Sequence, residues 1–136
     1  MTIPTVRAVS GDTPYTVTLT DDGGHQWLGD EPGELGGADA GPSPSQLLLS
    51  SLGTCTVITL QMFAARKQWP LAGIAVELQF NPNGKPTAGG TEITRNITLQ
   101  GDLNSEQRER LLQAANACPM HKVLTGEIRI ATDLSQ

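Results

Sequence analysis

The chain has 136 residues, 38% of them hydrophobic and 17% charged, with a formal net charge of -5. That length suits a single domain, residues 1–136, with a real but limited core. The acidic balance and an aromatic content of only 4% exclude a nucleic-acid surface built on basic patches or stacking platforms.

The N-terminal "MTIPTVRAVSGDTPYT" lacks a basic start followed by an apolar run, so no signal peptide is expected. "VRAV" (6–9) and "YTVTLT" (15–20) read as strands joined by the turn-forming "SGDTP". Tyr15, Val17 and Leu19 alternate with threonines, as in a half-buried strand. "DDGG" (21–24) predicts a tight turn and "HQWL" (25–28) a third strand. Residues 29–45, "GDEPGELGGADAGPSPS", form a long loop, rich in Gly, Pro and acids. Loops of that length are often functional, though a plain solvated connector fits as well.

A helix follows, with Ser43 as N-cap, Pro44 at the first helical position and Arg66 and Lys67 in the last turn. Leu48, Leu52, Cys55, Thr59 and Met62 share one face, while Leu47, Leu49, Val57, Ile58, Leu60 and Phe63 lie on the others. A helix apolar nearly all round is a buried one, and a chain this small needs a second subunit to cover it. Ser50, Ser51, Thr54, Thr56, Thr59 and Gln61 interrupt the apolar run, which argues against a membrane span and for a soluble, cytoplasmic protein. Gly53 in mid-helix costs about 1 kcal/mol relative to Ala, which suggests a close helix–helix approach.

"IAVELQF" (74–80) alternates cleanly, with Ile74, Val76, Leu78 and Phe80 inward. "NPNGKPTAGG" (81–90) is a hairpin loop, and "TEITRNITLQG" (91–101) the return strand. Arg95 shares the inward face with Ile93, Ile97 and Leu99. A position near the sheet rim, with the head reaching water, accounts for it. The second helix spans 105–117, with Asn104 and Gln107 forming a capping box. Leu111, Ala115 and Cys118 continue its buried stripe. Pro119 opens a short helix, "PMHKVL", ended by Gly126. "EIRIATDL" (127–134) is expected as a closing strand. The order ββ(β)–α–ββ–α–α–β gives an α+β fold class.

Cys55 and Cys118 are the only cysteines. They are too few for a secreted disulfide framework, which leaves inert core or redox chemistry. Cys118, before a helix-initiating proline, lies beside unpaired backbone N–H groups that favour its thiolate. His121 adds charge there if protonated; otherwise it is an ordinary surface residue. Cys55, mid-helix on an apolar stripe, needs a cationic or hydrogen-bonding partner to become reactive. The candidates are His25, Arg7, Arg95 and His121. A metal site built from Cys55, Cys118, His25 and His121 matches no standard zinc spacing, and phosphate-loop, dinucleotide and Ser-His-Asp signals are absent.

"GGADAGPSPSQLLLSSLGTCTVITLQMFAARKQWPL" and "TRNITLQGDLNSEQRERLLQAANACPMHKVLTGEIRIATDL", together with "HQWLGDEP", resemble the OsmC family, which includes the organic hydroperoxide resistance proteins. The resemblance covers about residues 15–134. It implies an OsmC-like fold: antiparallel curved sheets wrapped around long central helices in an intertwined homodimer, with the active site at the dimer interface. It implies that Cys55 is peroxidatic and Cys118 resolving, so that Cys55 becomes a sulfenic acid and then a disulfide with Cys118. An external dithiol, lipoyl-type in the best-known branch, would restore the pair without metal or organic cofactor. Organic hydroperoxides would be the substrates, in oxidative or osmotic stress defence. The hydroperoxide-resistance branch carries a glutamate ten residues before the peroxidatic cysteine, where this chain has Ser45, followed by Gln46. His25 is the best substitute cationic group, with Glu31 or Asp30 as the orienting acid. A small-ligand-binding or redox-sensing module with little turnover is the alternative that the missing glutamate favours.

Overall fold

Three short antiparallel strands open the fold in this computed structural model, which describes residues 2–135. The chain clusters into two compact units, divided between Ser50 and Ser51.

In the first unit, β1 (Val6–Ser10), β2 (Val17–Asp21) and β3 (Gln26–Gly29) form a sheet in the order β1-β2-β3. Tyr15 stands outside β2, with φ of 74° and an exposed ring, so the strand starts later than its alternation predicts. The "DDGG" turn forms as expected. Asp21 Oδ1 accepts the N–H groups of Gly23 and His25, both at 2.9 Å, an aspartate capping its own turn. The loop after β3 is more than a solvated connector. It holds a 3-10 turn at Gly33–Leu35 and folds around the carboxylate of Asp30, which is only 3% exposed. That carboxylate accepts the Thr16 hydroxyl at 2.6 Å and the N–H groups of Glu31, Ala38 and Ala40 at 2.7, 3.3 and 3.2 Å. Gly37 lies so close to the Glu31 carbonyl that a Cβ there would overlap it.

Helix α1 (Pro44–Lys67) starts where its cap predicts. Ser43 N–H donates to Gln46 Oε1 at 2.9 Å and Gln46 N–H to Ser43 Oγ at 3.3 Å, a full capping box. Its buried row is Leu52, Thr56, Leu60 and Ala64, the i+4 ridge next to the face expected. Cys55 and Thr59 flank that row half-buried, while Leu48, Ile58 and Met62 are 37, 44 and 56% exposed. A single chain thus buries one ridge of a helix that is apolar on every side. By length and composition α1 meets the requirement for crossing a membrane, despite its serines and threonines.

In the second unit, β4 (Leu71–Phe80) and β5 (Ile93–Gly101) form a long antiparallel hairpin with a register shift between Leu71 and Gly73. β4 begins at Leu71, earlier than the alternation from Ile74 suggests. A Cβ on Gly53 would meet Leu78 Cδ1 at 2.9 Å. Gly53 therefore admits the sheet, and the helix–helix approach read from the sequence is a helix–sheet one. Helix α2 (Ser105–Ala115) carries the predicted Asn104–Gln107 capping box and ends at Asn116. Helix α3 (Pro119–Thr125) follows directly. The core joins Leu60 and Ala64 of α1 to Leu103, Leu111, Ala114 and Ala115, with Trp69, Ile97 and Leu99 packed against it.

One expected element does not form. Residues 127–134 have the alternation of a strand, yet among the described residues they pair with nothing and are exposed throughout. Alternation supplies a face, but a strand also needs a neighbour to accept its backbone hydrogen bonds.

Candidate active site

Local backbone rules place Cys118. Proline disfavours the helical conformation in the residue before it, so α2 cannot run on through Cys118 into Pro119. Cys118 adopts φ -65° and ψ 146° and caps α3, its sulfur accepting the His121 N–H at 3.3 Å. The thiol is fully buried.

Arg95 comes from the inward face of β5. Its Nη1 donates to Thr56 Oγ1 at 3.0 Å and lies 3.9 Å from Cys118 Sγ. Its Nη2 donates to Asn116 Oδ1 and meets His121 Nδ1, both at 3.0 Å. A guanidinium has no lone pair to offer, so Nδ1 is the acceptor in that contact. Thr56 is fully buried, and its own proton goes to the Leu52 carbonyl at 2.7 Å. Helices α1 and α3 and the α2–α3 turn thus converge on one cation carried by β5.

Cys55 adjoins Thr56 on α1. Its sulfur lies 4.0 Å from Thr59 Oγ1, and its side chain is close enough to Cys118 to favour the charged form of that thiol. Both cysteines are free thiols. Burial pushes the Cys118 thiol up. The His121 N–H, the Cys55 side chain and the Arg95 guanidinium together outweigh that and hold it below the ordinary thiol range. A cavity of about 620 Å³ lies beside the cluster, with Leu52, Ile93, Ile97 and Leu124 on its apolar wall and Glu92, Arg95 and His121 on its polar one.

The structure thus brings together Cys55, Cys118, His121 and Arg95, and it corrects the reading of Arg95 as a rim residue. His121 serves as an acceptor and is half-buried. His25 is exposed, and its Nδ1 meets Asp21 Oδ2 at 2.8 Å. Arg7 pairs with Asp22 at 2.8 Å. Asp30 organises its own loop, and the Glu31 carboxylate has no ion-pair partner among the described residues. Among those residues no group of three or more His, Cys, Asp or Glu is arranged to hold a metal ion. The sequence marks neither Thr56 nor Asn116 as a site residue; Thr56 appears there only as a break in the apolar run of the helix. Thr56 had one signal, its place in the i+4 row of Leu52 and Leu60.

No functionally curated protein matches the chain. Among solved structures, an OsmC-like protein from Mycoplasma pneumoniae superimposes with a TM-score of 0.77 at 22% identity, covering 92% of this chain and 89% of that one. An organic hydroperoxide resistance protein from Legionella pneumophila gives 0.68 at 20% identity, covering 93% and 91%. The organic hydroperoxide resistance protein OhrB of Bacillus subtilis gives 0.63 at 23% identity, covering 92% of each chain. At these identities the likeness establishes the α+β fold with its antiparallel sheets. The family described as OsmC-like protein matches residues 36–133, a span that holds both cysteines, Arg95 and His121. By that match, and by a fold that agrees with it, the chain belongs to the OsmC-like family.

Proposed function

We propose that the protein is a thiol-dependent peroxidase that reduces organic hydroperoxides to alcohols. The observation that carries this reading is a pair of free thiols, one of them 3.9 Å from a guanidinium, beside a cavity with an apolar wall. Relatives named for organic hydroperoxide resistance support it. In this reading the Cys55 thiolate attacks the terminal peroxide oxygen. The O–O bond breaks, the alkoxide leaves and takes up a proton, and Cys55 becomes a sulfenic acid. Cys118 then displaces the sulfenic hydroxyl as water and forms the disulfide. An external dithiol, of the lipoyl kind, reduces the pair again, and no metal or organic cofactor takes part. The apolar wall favours an alkyl or aryl hydroperoxide over hydrogen peroxide. The active form is a homodimer in the cytoplasm.

The alternative, a redox-sensing or ligand-binding module with little turnover, has one observation in its favour. Gln46, beside the position of the missing glutamate, completes the cap of α1. One experiment separates the two: intact mass and free-thiol count after one equivalent of cumene hydroperoxide. Wild type should lose two hydrogens and both thiols. Cys118→Ser should stop at sulfenic acid or over-oxidise, and Cys55→Ser should stay inert. Two free thiols persisting in wild type over minutes would overturn the peroxidase reading.

A further inference from the structure

Arg95 touches no carboxylate: its partners are the Thr56 hydroxyl, the Asn116 carboxamide, the His121 imidazole and the Cys118 sulfur. None of the ion pairs among the described residues includes it. Glu92 lines the same cavity without reaching it as an ion-pair partner. A partly buried cation is normally paired. Two groups at the cluster can become its anion, Cys118 and Cys55, and the contacts distinguish them. Cys118 Sγ receives the His121 N–H at 3.3 Å and has the guanidinium at 3.9 Å. Cys55 has the Thr59 hydroxyl at 4.0 Å and lies close enough to Cys118 to favour the charged form of that thiol.

We propose that Cys118 is the resident thiolate of the reduced protein and the proton acceptor for Cys55, so that Arg95 activates the attacking sulfur through Cys118. The inference rests on the peroxidase reading for its proton transfers, but not for the location of the charge. Cys55–SH passes its proton to Cys118–S⁻ as Cys55 attacks the terminal oxygen of the hydroperoxide. The O–O bond breaks, and the alkoxide takes that same proton from Cys118–SH and leaves as the alcohol. Cys118, a thiolate again, attacks the Cys55 sulfenic sulfur. The S–S bond forms and hydroxide departs, taking one proton from solvent to become water. Cys118 is then catalytic twice, as proton shuttle and as resolving nucleophile, and Arg95 is its positioning residue.

The test is the ultraviolet thiolate absorbance of the full chain, titrated against pH without peroxide, in wild type, Cys55→Ser, Cys118→Ser, Arg95→Met and Arg95→Lys. A thiolate titrating below the ordinary thiol range should persist in Cys55→Ser and vanish from Cys118→Ser. Its midpoint should rise in Arg95→Met and return most of the way in Arg95→Lys, which also serves if the Met variant does not fold. A low-titrating thiolate in Cys118→Ser, or none in Cys55→Ser, overturns the proposal. Single-turnover oxidation of Cys55 at neutral pH should be ~100-fold slower in Cys118→Ser, the lower range of general-base effects, and recover as pH rises. A wild-type rate in that variant also overturns it. If the thiolate maps to Cys118 but peroxide leaves both thiols intact, the peroxidase reading fails and the charge assignment stands.

Discussion

Thr56 has one proton, and it goes to the Leu52 carbonyl at 2.7 Å, so its lone pairs are left facing Arg95. Thr56→Val removes that acceptor inside the protein. We expect a stability loss of about 1 kcal/mol by chemical denaturation and slower alkylation of Cys118 at neutral pH, with Thr56→Ser restoring both. Asp30 makes the second prediction at this scale. The Thr16 hydroxyl holds its carboxyl below the usual aspartate range; burial opposes this, and the Glu31, Ala40 and Ala38 amides reinforce it. A depressed folded value stabilises the fold above the ordinary aspartate pKa, and the contribution is lost as pH falls through the folded value. Amide exchange at Glu31, Ala38 and Ala40 should therefore accelerate below about pH 4, and Asp30→Asn should remove that pH dependence. Neither cluster was fully legible in the sequence. Arg95 was visible as a charge on an inward strand face, but its carboxylate-free socket comes from residues 39 positions before it and 21 to 26 after it.

Local chemistry sets the element boundaries, and these were the most legible features. The caps at Ser43 and Asn104, the proline after Cys118 and the stop at Gly126 all depend on neighbours within four residues. Asn104→Ala should cost about 1 kcal/mol, measured as a shift in denaturation midpoint at unchanged slope. Gly53→Ala tests the helix–sheet contact. Helix propensity favours Ala by about 1 kcal/mol, while the new Cβ must displace only the tip of Leu78, 2.9 Å away. The two effects nearly cancel, so stability should stay within about 1 kcal/mol of wild type. Residues 127–134 show the opposite case. Their alternation was readable, but pairing depends on a partner that no local pattern encodes.

At the scale of the whole molecule, α1 leaves Leu48, Ile58 and Met62 open, and the C-terminal segment leaves Ile128, Ile130 and Leu134 open. Isolated exposed apolar side chains are ordinary, but a helix apolar on every side calls for a cover. The proposed homodimer provides one. Light scattering of wild type should give twice the chain mass, and Ile58→Glu should shift the protein toward the monomer while its far-ultraviolet circular dichroism still shows helix. Wild type as a monomer, with α1 folded, would count against the dimer. The need for a cover was legible in the all-round pattern of α1, whereas the face turned inward was not, because Leu52–Thr56–Leu60–Ala64 and its neighbouring ridge are equally apolar.

The carboxylate-free socket around Arg95 has an electrochemical consequence. In the proposed charge assignment its cation is balanced only while Cys118 carries a negative charge, and a disulfide carries none. Oxidation therefore leaves the guanidinium without its counter-charge, and the socket stabilises the reduced state alone. The Cys55–Cys118 couple should have a raised reduction potential, by about 30 mV for each tenfold stabilisation of the thiolate form. Its disulfide would then be an easy one for a dithiol to open, and Arg95→Met should make it harder.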